Sequence, residues 1–196
     1  MPVIYIVRCN FTDPAREAAW NAWYSGPKIA QMLAQPYFLS CQRFKRASGA
    51  GRDYLALWTM QSPEALATPE YKAQWGFSEW TPLIADWSRD MFDAGRLPAA
   101  VFAVAQAGGL QAISFDGMTQ DDAIAARTAM DVPRGMMWFP VIGLDRHTPL
   151  IGLRPLSKRM ALAPESQTPS RGQQAIYRPI SEFHRAEKKS GTPAIQ

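Results

Sequence analysis

The sequence predicts an α+β protein made of two units of similar order. In the first half, strand-like and helix-like segments alternate as β-α-β-β-α-β, and the second half echoes that order with its second helix degraded. Hydrophobic residues make up 47% of the 196, which is ample for a packed core. Turn-forming residues at 93–98 mark a boundary, so we expect units at 1–97 and 98–186 and a flexible tail at 187–196.

The first unit opens with a strand followed by a helix. The run 3–9 is rich in β-branched residues and predicts a buried strand. Asp13 can cap free backbone N–H groups, and Pro14 fits a first helical turn, where no N–H is needed. We expect Gly26 and Pro27 to interrupt this helix, because proline removes a donor and clashes with the preceding turn.

Two further strands and a second helix complete the first unit. The segments 37–46 and 53–60 flank a glycine-rich polar turn and predict a hairpin. A helix is expected over 62–76, with a second possible start at its Thr68-Pro69 pair, and the fourth strand falls within 83–92.

The second unit has weaker signals. The sequence predicts a strand at 99–105, a helix at 119–130, an interrupted hairpin at 136–144 and 149–156, a flexible tract at 163–174 and a last strand at 175–183.

Charge and composition exclude several classes of protein. The net charge is +4, and residues 146–196 carry nine Lys/Arg against three Asp/Glu. This basic quarter lacks the dense basic runs and interleaved aromatics of a nucleic-acid surface, so we expect no nucleic-acid partner. No run of 18 uncharged apolar residues and no secretory signal occurs, which predicts a cytoplasmic protein without membrane contact.

Motifs for metals and cofactors are missing from the sequence. Cys9 and Cys41 lie in strand-like runs without partners at metal spacing and are expected to be buried free thiols. The sequence has two histidines, no grouped carboxylates, and no nucleotide-binding or nucleophile-elbow motif. We therefore expect neither a metal nor a cofactor.

Several short motifs in the first half resemble the dimeric α/β barrel superfamily, in particular its EthD-like branch. They are "WY" at 23–24, "QPYF" at 35–38, "CQRF" at 41–44, "YLALW" at 54–58, "SPEAL" at 62–66 and "TPEY" at 68–71. The resemblance covers residues 3–92. It implies a ferredoxin-like unit whose sheets pair face to face and enclose a ligand cavity. Either the second half replaces the usual partner as a fused pseudo-dimer, or an elaborated protomer still forms a homodimer or higher oligomer.

One position departs from the family pattern. Family members often carry an acidic pair and then a histidine after "WY", whereas this chain has Ser25, Gly26, Pro27 and Lys28. Lys28 takes the place of the histidine, so a mechanism with an imidazole base there is not implied.

Two cations are candidates for binding an anionic substrate. Lys28 sits among aromatic and aliphatic residues, where it would anchor a carboxylate or phenolate or, with its pKa lowered by burial, act as base or nucleophile. A surface lysine covering apolar residues with its stem is the alternative. Arg43 lies in mid-strand between apolar neighbours and needs either an exposed face or an anionic partner, which is the substrate or one of Asp53 and Glu64.

Aromatic residues and the two histidines complete the predicted site. Tyr24, Tyr54 and Trp58 are expected to shape a cavity for a flat ligand. His184 falls two residues from Glu182 on one strand face, which suggests an acid/base pair, and His147 follows Asp145 and Arg146 in a polar turn. An ordinary hairpin turn also explains the second pattern.

The predicted function is a cofactor-independent enzyme acting on a small hydrophobic or aromatic, anionic compound. Proton transfer would make it an isomerase, a cyclase or a lyase, with His184, His147 or Lys28 moving the proton. The alternatives are a non-catalytic barrel that binds small molecules or serves as a structural partner, and a cofactor-free oxygenase, an activity that the family also contains.

Overall fold

Eight antiparallel strands form one closed barrel, and both halves of the chain contribute to it. The computed structural model describes residues 1–161 and 171–187. The strands are β1 (Val3–Phe11), β2 (Phe38–Gly49), β3 (Tyr54–Met60), β4 (Ile84–Asp93), β5 (Gly109–Ser114), β6 (Met137–Leu144), β7 (Leu150–Leu156), β8 (Gln173–Pro179) and the short β9 (His184–Arg185).

The two halves of the barrel have the same internal strand order. The first runs β2-β3-β1-β4 and the second β6-β7-β5-β8, and they join at the β4–β6 and β2–β8 seams, with β9 on the start of β2. One chain therefore closes the barrel, as a fused pseudo-dimer would. The unit boundaries and the homodimer stay predictions.

Short helices cover the outside of the barrel. They are α1 (Glu17–Trp23), α2 (Ile29–Leu33), α3 (Pro69–Gln74), α4 (Gln120–Thr128) and α5 (Lys158–Ala161), with 3₁₀ turns at Pro63–Ala67, Ser78–Leu83 and Ala99–Phe102. The helix expected over 62–76 is thus split, and Thr68 caps its second part by accepting a hydrogen bond from the Tyr71 backbone N–H at 3.2 Å.

The expected interruption at Gly26 and Pro27 is instead a continuous helix with one wide turn. Residues Tyr24–Lys28 form a π-helical turn that follows α1 directly and leads directly into α2. A π turn widens the helix locally and so accommodates a proline that would clash within regular α-helix.

The strand expected at 99–105 is wrong. This segment is a 3₁₀ turn followed by irregular chain, and the strand forms later, at Gly109–Ser114. Phe102 and Val104 pack into the barrel interior, and the side-chain amide of Gln42 hydrogen-bonds the backbone N–H and C=O of Val104 at 2.9 and 2.8 Å. These backbone groups are satisfied by a side chain, so the apolar run needs no strand neighbour.

The described residues form three apolar cores: one inside the barrel, one beneath the helices of the first half, and a small one between β5, β7 and α4. Along β1, Ile4 and Ile6 point into the barrel, whereas Tyr5 and Val7 point outward beneath α1–α3. The interior core also contains large side chains from every other barrel strand, namely Phe44, Leu57, Phe92, Leu110, Phe139, Leu153 and Tyr177.

The position of the cavity therefore differs from the expectation. Apolar side chains fill the middle of the barrel, and the aromatic cavity lies on the outer face, between β1, β3, β4 and the helices. None of the helices in the described part of the chain has the length and apolar character needed to cross a membrane.

Candidate active site

An aromatic cavity lies between the outer face of the first-half sheet and the helices that cover it. Its volume is about 30 Å³, which is room for about one water molecule. The sheet supplies the floor and the helices supply the walls. The lining residues are Tyr5, Val7, Tyr24, Lys28, Met32, Trp58, Tyr71, Trp75, Gly76, Phe77, Trp87 and Arg89.

Lys28 ends the π turn and points its ammonium into this cavity. The residue is buried, and its Nζ donates a hydrogen bond to the backbone carbonyl of Gln74, the last residue of α3. Burial lowers the pKa of Lys28 from 10.5 to about 8. A lysine in this state holds a fraction of neutral amine near neutral pH, which lets it serve as an acceptor of protons.

Arg89 provides a second cation at the mouth of the cavity. Its guanidinium lies 4.6 Å from the ring centre of Trp75 and 5.3 Å from that of Trp87. Asp145, in the turn between β6 and β7, approaches the guanidinium at 3.6 Å and accepts a hydrogen bond from the Arg89 backbone N–H at 2.8 Å. The buried Nε of Arg89 has no hydrogen-bond partner among the described residues.

Two tyrosine hydroxyls meet beside Arg89. The hydroxyls of Tyr5 and Tyr71 lie 3.2 Å apart. Burial and the neighbouring Tyr71 raise the pKa of Tyr5, while the charge of Arg89 acts in the opposite direction. Burial also opposes the charge on Arg89, but the two tyrosines and Asp145 outweigh it and raise the pKa of Arg89. Arg89 is therefore a cation at every physiological pH.

Arg43 is buried behind this cavity rather than within it. Its guanidinium donates hydrogen bonds to the Asn21 carbonyl at 3.2 Å, the Asn21 side chain at 2.9 Å and the Ser25 hydroxyl at 2.9 Å. It also lies over the rings of Trp20 and Tyr24, at 4.7 and 4.2 Å from their centres. Burial lowers the pKa of Arg43 to about 10.

Neither Asp53 nor Glu64 forms an ion pair with Arg43. Asp53 instead pairs with Arg46, and none of the ion pairs between described residues includes Arg43. The guanidinium is held by neutral groups of α1 and the π turn, so it fixes the backbone that carries Tyr24 and Lys28.

Tyr54 belongs to a polar network on the far side of α1. Its hydroxyl hydrogen-bonds Glu17, which also pairs with Lys45, and it accepts a bond from the Asn21 amide at 3.3 Å. The structure thus brings Tyr24, Lys28 and Trp58 together in the cavity and leaves Tyr54 and Arg43 outside its lining.

The two histidines lie in two other places. His184, in β9, lines a groove along α2 with Ile29 and Leu33. His147 lies at one end of the barrel, where its Nε2 is 3.7 Å from Asp116. Neither contributes to the lining of the aromatic cavity, and their catalytic roles stay predictions.

A buried charge network closes that end of the barrel. Arg8 donates hydrogen bonds to Ser114 at 3.2 Å and to Asp116 at 3.0 Å, and Arg52 reaches Asp116 at 3.1 Å. Burial would raise the pKa of Asp116, but the Arg8 charge, a hydrogen bond from Thr148 and the Arg52 charge together hold it below its ordinary value. The network is satisfied internally, which is typical of buried structural charges. Within residues 1–161 and 171–187, no group of three or more His, Cys, Asp or Glu side chains is placed to hold a metal ion.

Nine of the twelve lining residues do not stand out in the sequence. Among these nine are Tyr5, Tyr71, Trp75, Trp87 and Arg89. The spacing of Trp87, Arg89 and Met91 along β4 indicates that these three side chains share one face of the strand, since residues two apart point the same way. Which face met the helices could be read only from the fold.

Comparison with known proteins supports the architecture. The sequence matches no family model and no curated protein. Among solved structures, an anthrone oxidase-like protein is 12% identical with a TM-score of 0.56, and the match covers 98% of this chain and 96% of that one. At this identity the likeness shows the fold alone. The dimeric α/β barrel superfamily and its EthD-like branch stay predictions.

Two other solved structures score lower. A provisionally named monooxygenase from Fusobacterium nucleatum is 9% identical, covers 96% of this chain and 98% of its own, and has a TM-score of 0.49. A provisionally named monooxygenase from Lactobacillus acidophilus is 10% identical, with coverages of 92% and 97% and a TM-score of 0.42. Both scores are too low to support a shared fold.

Proposed function

We propose that this protein is an enzyme that uses its own side chains to move a proton on a small planar aromatic or enolisable anion. The observation that carries the proposal is the placement of Lys28 and Arg89 on the wall of one aromatic cavity. Flat apolar walls favour an aromatic ligand, and two cations favour a negative charge on it.

Lys28 is the base in this proposal. Its pKa of about 8 makes the neutral amine available near neutral pH, and its position inside the cavity brings it to the ligand. The amine takes a proton from a phenol or from a carbon next to a carbonyl, and the electron pair of that bond stays on the substrate. Return of the proton to another carbon gives an isomer, and departure of a neighbouring group gives elimination.

Arg89 and the tyrosine pair stabilise the negative charge that this step creates. The guanidinium has an unpaired buried Nε, and the Tyr5 and Tyr71 hydroxyls lie beside it. Fixed hydrogen-bond donors that face a developing oxyanion in a site without water lower the activation barrier more than the same donors would in water. No metal or cofactor is required for this chemistry.

An oxygenase is the second candidate, and the likeness to an anthrone oxidase-like protein favours it. The same first step, loss of a proton to Lys28, gives an electron-rich carbanion that dioxygen can oxidise. Strict dependence of turnover on oxygen, measured with an oxygen electrode and repeated under argon, separates an oxygenase from an isomerase, cyclase or lyase.

Three variants test the enzyme proposal against a screen of aromatic phenols and carboxylates. Lys28→Arg keeps a positive charge but cannot act as a base, because arginine stays protonated. We expect it to bind the ligand and to lose turnover by about 10²- to 10⁴-fold. Lys28→Met and Arg89→Met should also weaken binding, and Lys72→Met, an exposed lysine on α3, is the control. If ligands bind and Lys28→Arg converts them at the wild-type rate, the barrel is a binder or uses another base.

A further inference from the structure

The aromatic cavity is too small for the ligand that its walls favour. Its volume is about 30 Å³, whereas a cavity that binds benzene measures about 150 Å³. A planar ligand can therefore enter only if part of the lining moves.

The most exposed part of the lining lies at the end of α3 and beside it on β4. Trp75 is 47% exposed and Trp87 is 42% exposed, whereas most of the other lining side chains are buried. Gly76 follows Trp75 with a φ of +88°, and a Cβ placed on it would meet nothing within 4 Å. A glycine in open space, in a conformation that other residues rarely adopt, suits a pivot.

Lys28 ties this segment to the inside of the cavity. Its Nζ donates to the Gln74 carbonyl, one of the acceptors that a helix end leaves without an intrahelical partner. A cation at a helix C-terminus also interacts favourably with the helix dipole. In the closed form the group proposed as base is thus held by the wall through its hydrogen bond to Gln74.

We propose that residues 74–76 form a gate, and that a planar aromatic anion enters between Trp75 and Trp87. The anion then replaces the Gln74 carbonyl as the hydrogen-bond acceptor of Lys28. The ligand's negative charge competes with a neutral carbonyl for the same ammonium, and a charge-assisted hydrogen bond is the stronger of the two. Opening the gate and transferring the Lys28 hydrogen bond from the Gln74 carbonyl to the ligand are then one event. This inference rests on the proposed function for the identity of the site, but its test needs no turnover.

The experiment measures how fast an amine reagent modifies Lys28. Wild-type protein is treated briefly with acetic anhydride at pH 8, and peptide mass spectrometry compares Lys28 with Lys72, an exposed lysine on the gate's own helix. Because its lowered pKa makes Lys28 intrinsically more reactive, slower modification reports protection by the closed gate. We expect Lys28 to react more slowly than Lys72 by about tenfold.

Two perturbations complete the test. Trp75→Ala removes the exposed ring of the gate and should raise the ratio of the Lys28 to the Lys72 modification rate severalfold. In the wild type, 2-naphthalenesulfonate should lower this ratio, because it binds the Lys28 ammonium. Cyclohexanesulfonate is the matched anion without an aromatic ring and should have little effect. Equal reactivity of the two lysines, an unchanged ratio in Trp75→Ala, or no effect of the naphthalene anion would each overturn the gate. If the gate holds and Lys28→Arg keeps full turnover, the proposed function fails and the gate stands.

Discussion

The guanidinium of Arg43 lies 4.2 Å from the ring centre of Tyr24 and hydrogen-bonds the turn that carries both Tyr24 and Lys28. A buried cation with neutral partners is costly to hold, as its lowered pKa shows. Its position indicates what it does, since it fixes a π turn that presents one aromatic and one basic side chain to the same cavity. π turns inside helices are frequent at functional sites.

Replacing Arg43 with methionine should destabilise the protein by about 1–3 kcal/mol, because the half-buried Asn21 and Ser25 lose their donor. Arg43→Lys should recover only part of this loss, since an ammonium lacks the planar fork that reaches both residues. Urea unfolding of the three proteins measures the difference. Unchanged stability in Arg43→Met would show that the guanidinium does not hold the π turn.

Replacing Lys28 with methionine should stabilise the protein at pH 7 by about 1–3 kcal/mol, because the buried ammonium carries a desolvation cost. The folded pKa of about 8 is below the ordinary 10.5, so the unfolded chain holds this proton more tightly. The cost is complete below pH 8 and disappears as the pH rises towards 10.5. The stability gain of Lys28→Met should shrink over that window. A gain that does not depend on pH would contradict the burial of this charge, and Lys72→Met should change little at any pH.

Replacing Asp116 with asparagine should destabilise the protein by about 3–5 kcal/mol, because it leaves the buried Arg8 and Arg52 without their shared carboxylate. The folded pKa of Asp116 is depressed, so its contribution is present above the ordinary value of 3.8 and is lost as the pH falls through the folded pKa. Asp86→Asn is the control, since Asp86 also pairs with Arg52 but its side chain is 60% exposed, and it should cost at most about 1 kcal/mol. Equal losses in the two variants would contradict the buried network.

Replacing Gly49 with alanine should cost about 2 kcal/mol or more, because a Cβ there would lie 2.1 Å from the Gln174 carbonyl oxygen at a φ of +82°. Gly49 sits at the β2–β8 seam that joins the two halves. Gly117→Ala is the matched control, with a φ of +72° but nothing within 4 Å of its Cβ, so it carries only the backbone strain and should cost about 1 kcal/mol. A neutral Gly49→Ala variant would argue against the close approach of the two strands at this seam.

The sequence predicts individual elements better than their assembly. β-branched and aromatic runs located β1, β2 and β3 within a few residues, because strand patterning is local. The apolar run at 99–105 failed since its backbone is satisfied by the Gln42 side chain, a contact between residues 62 positions apart that no local pattern records.

The candidate site shows the same limit. Lys28 and Tyr24 stood out in sequence, because a lysine among aromatic residues after a Gly-Pro pair is unusual. Arg89 and Tyr71 did not, since Arg89 lies on β4 and Tyr71 on α3. They meet only because α3 packs on the sheet face to which Arg89 points. Arg43 stood out as a mid-strand cation, but its burial and the neutral partners that hold it, Asn21 and Ser25, could be identified only from the fold.

The most direct test of the central claim is a calorimetric titration of 2-naphthalenesulfonate into wild-type protein and into Lys28→Met, Arg89→Met and Lys72→Met. If the aromatic cavity with its two cations is the ligand site, the first two variants should each bind about tenfold or more weakly, and the third should match the wild type. Equal affinity in all four proteins, or no binding by the wild type, would contradict the assignment of the site.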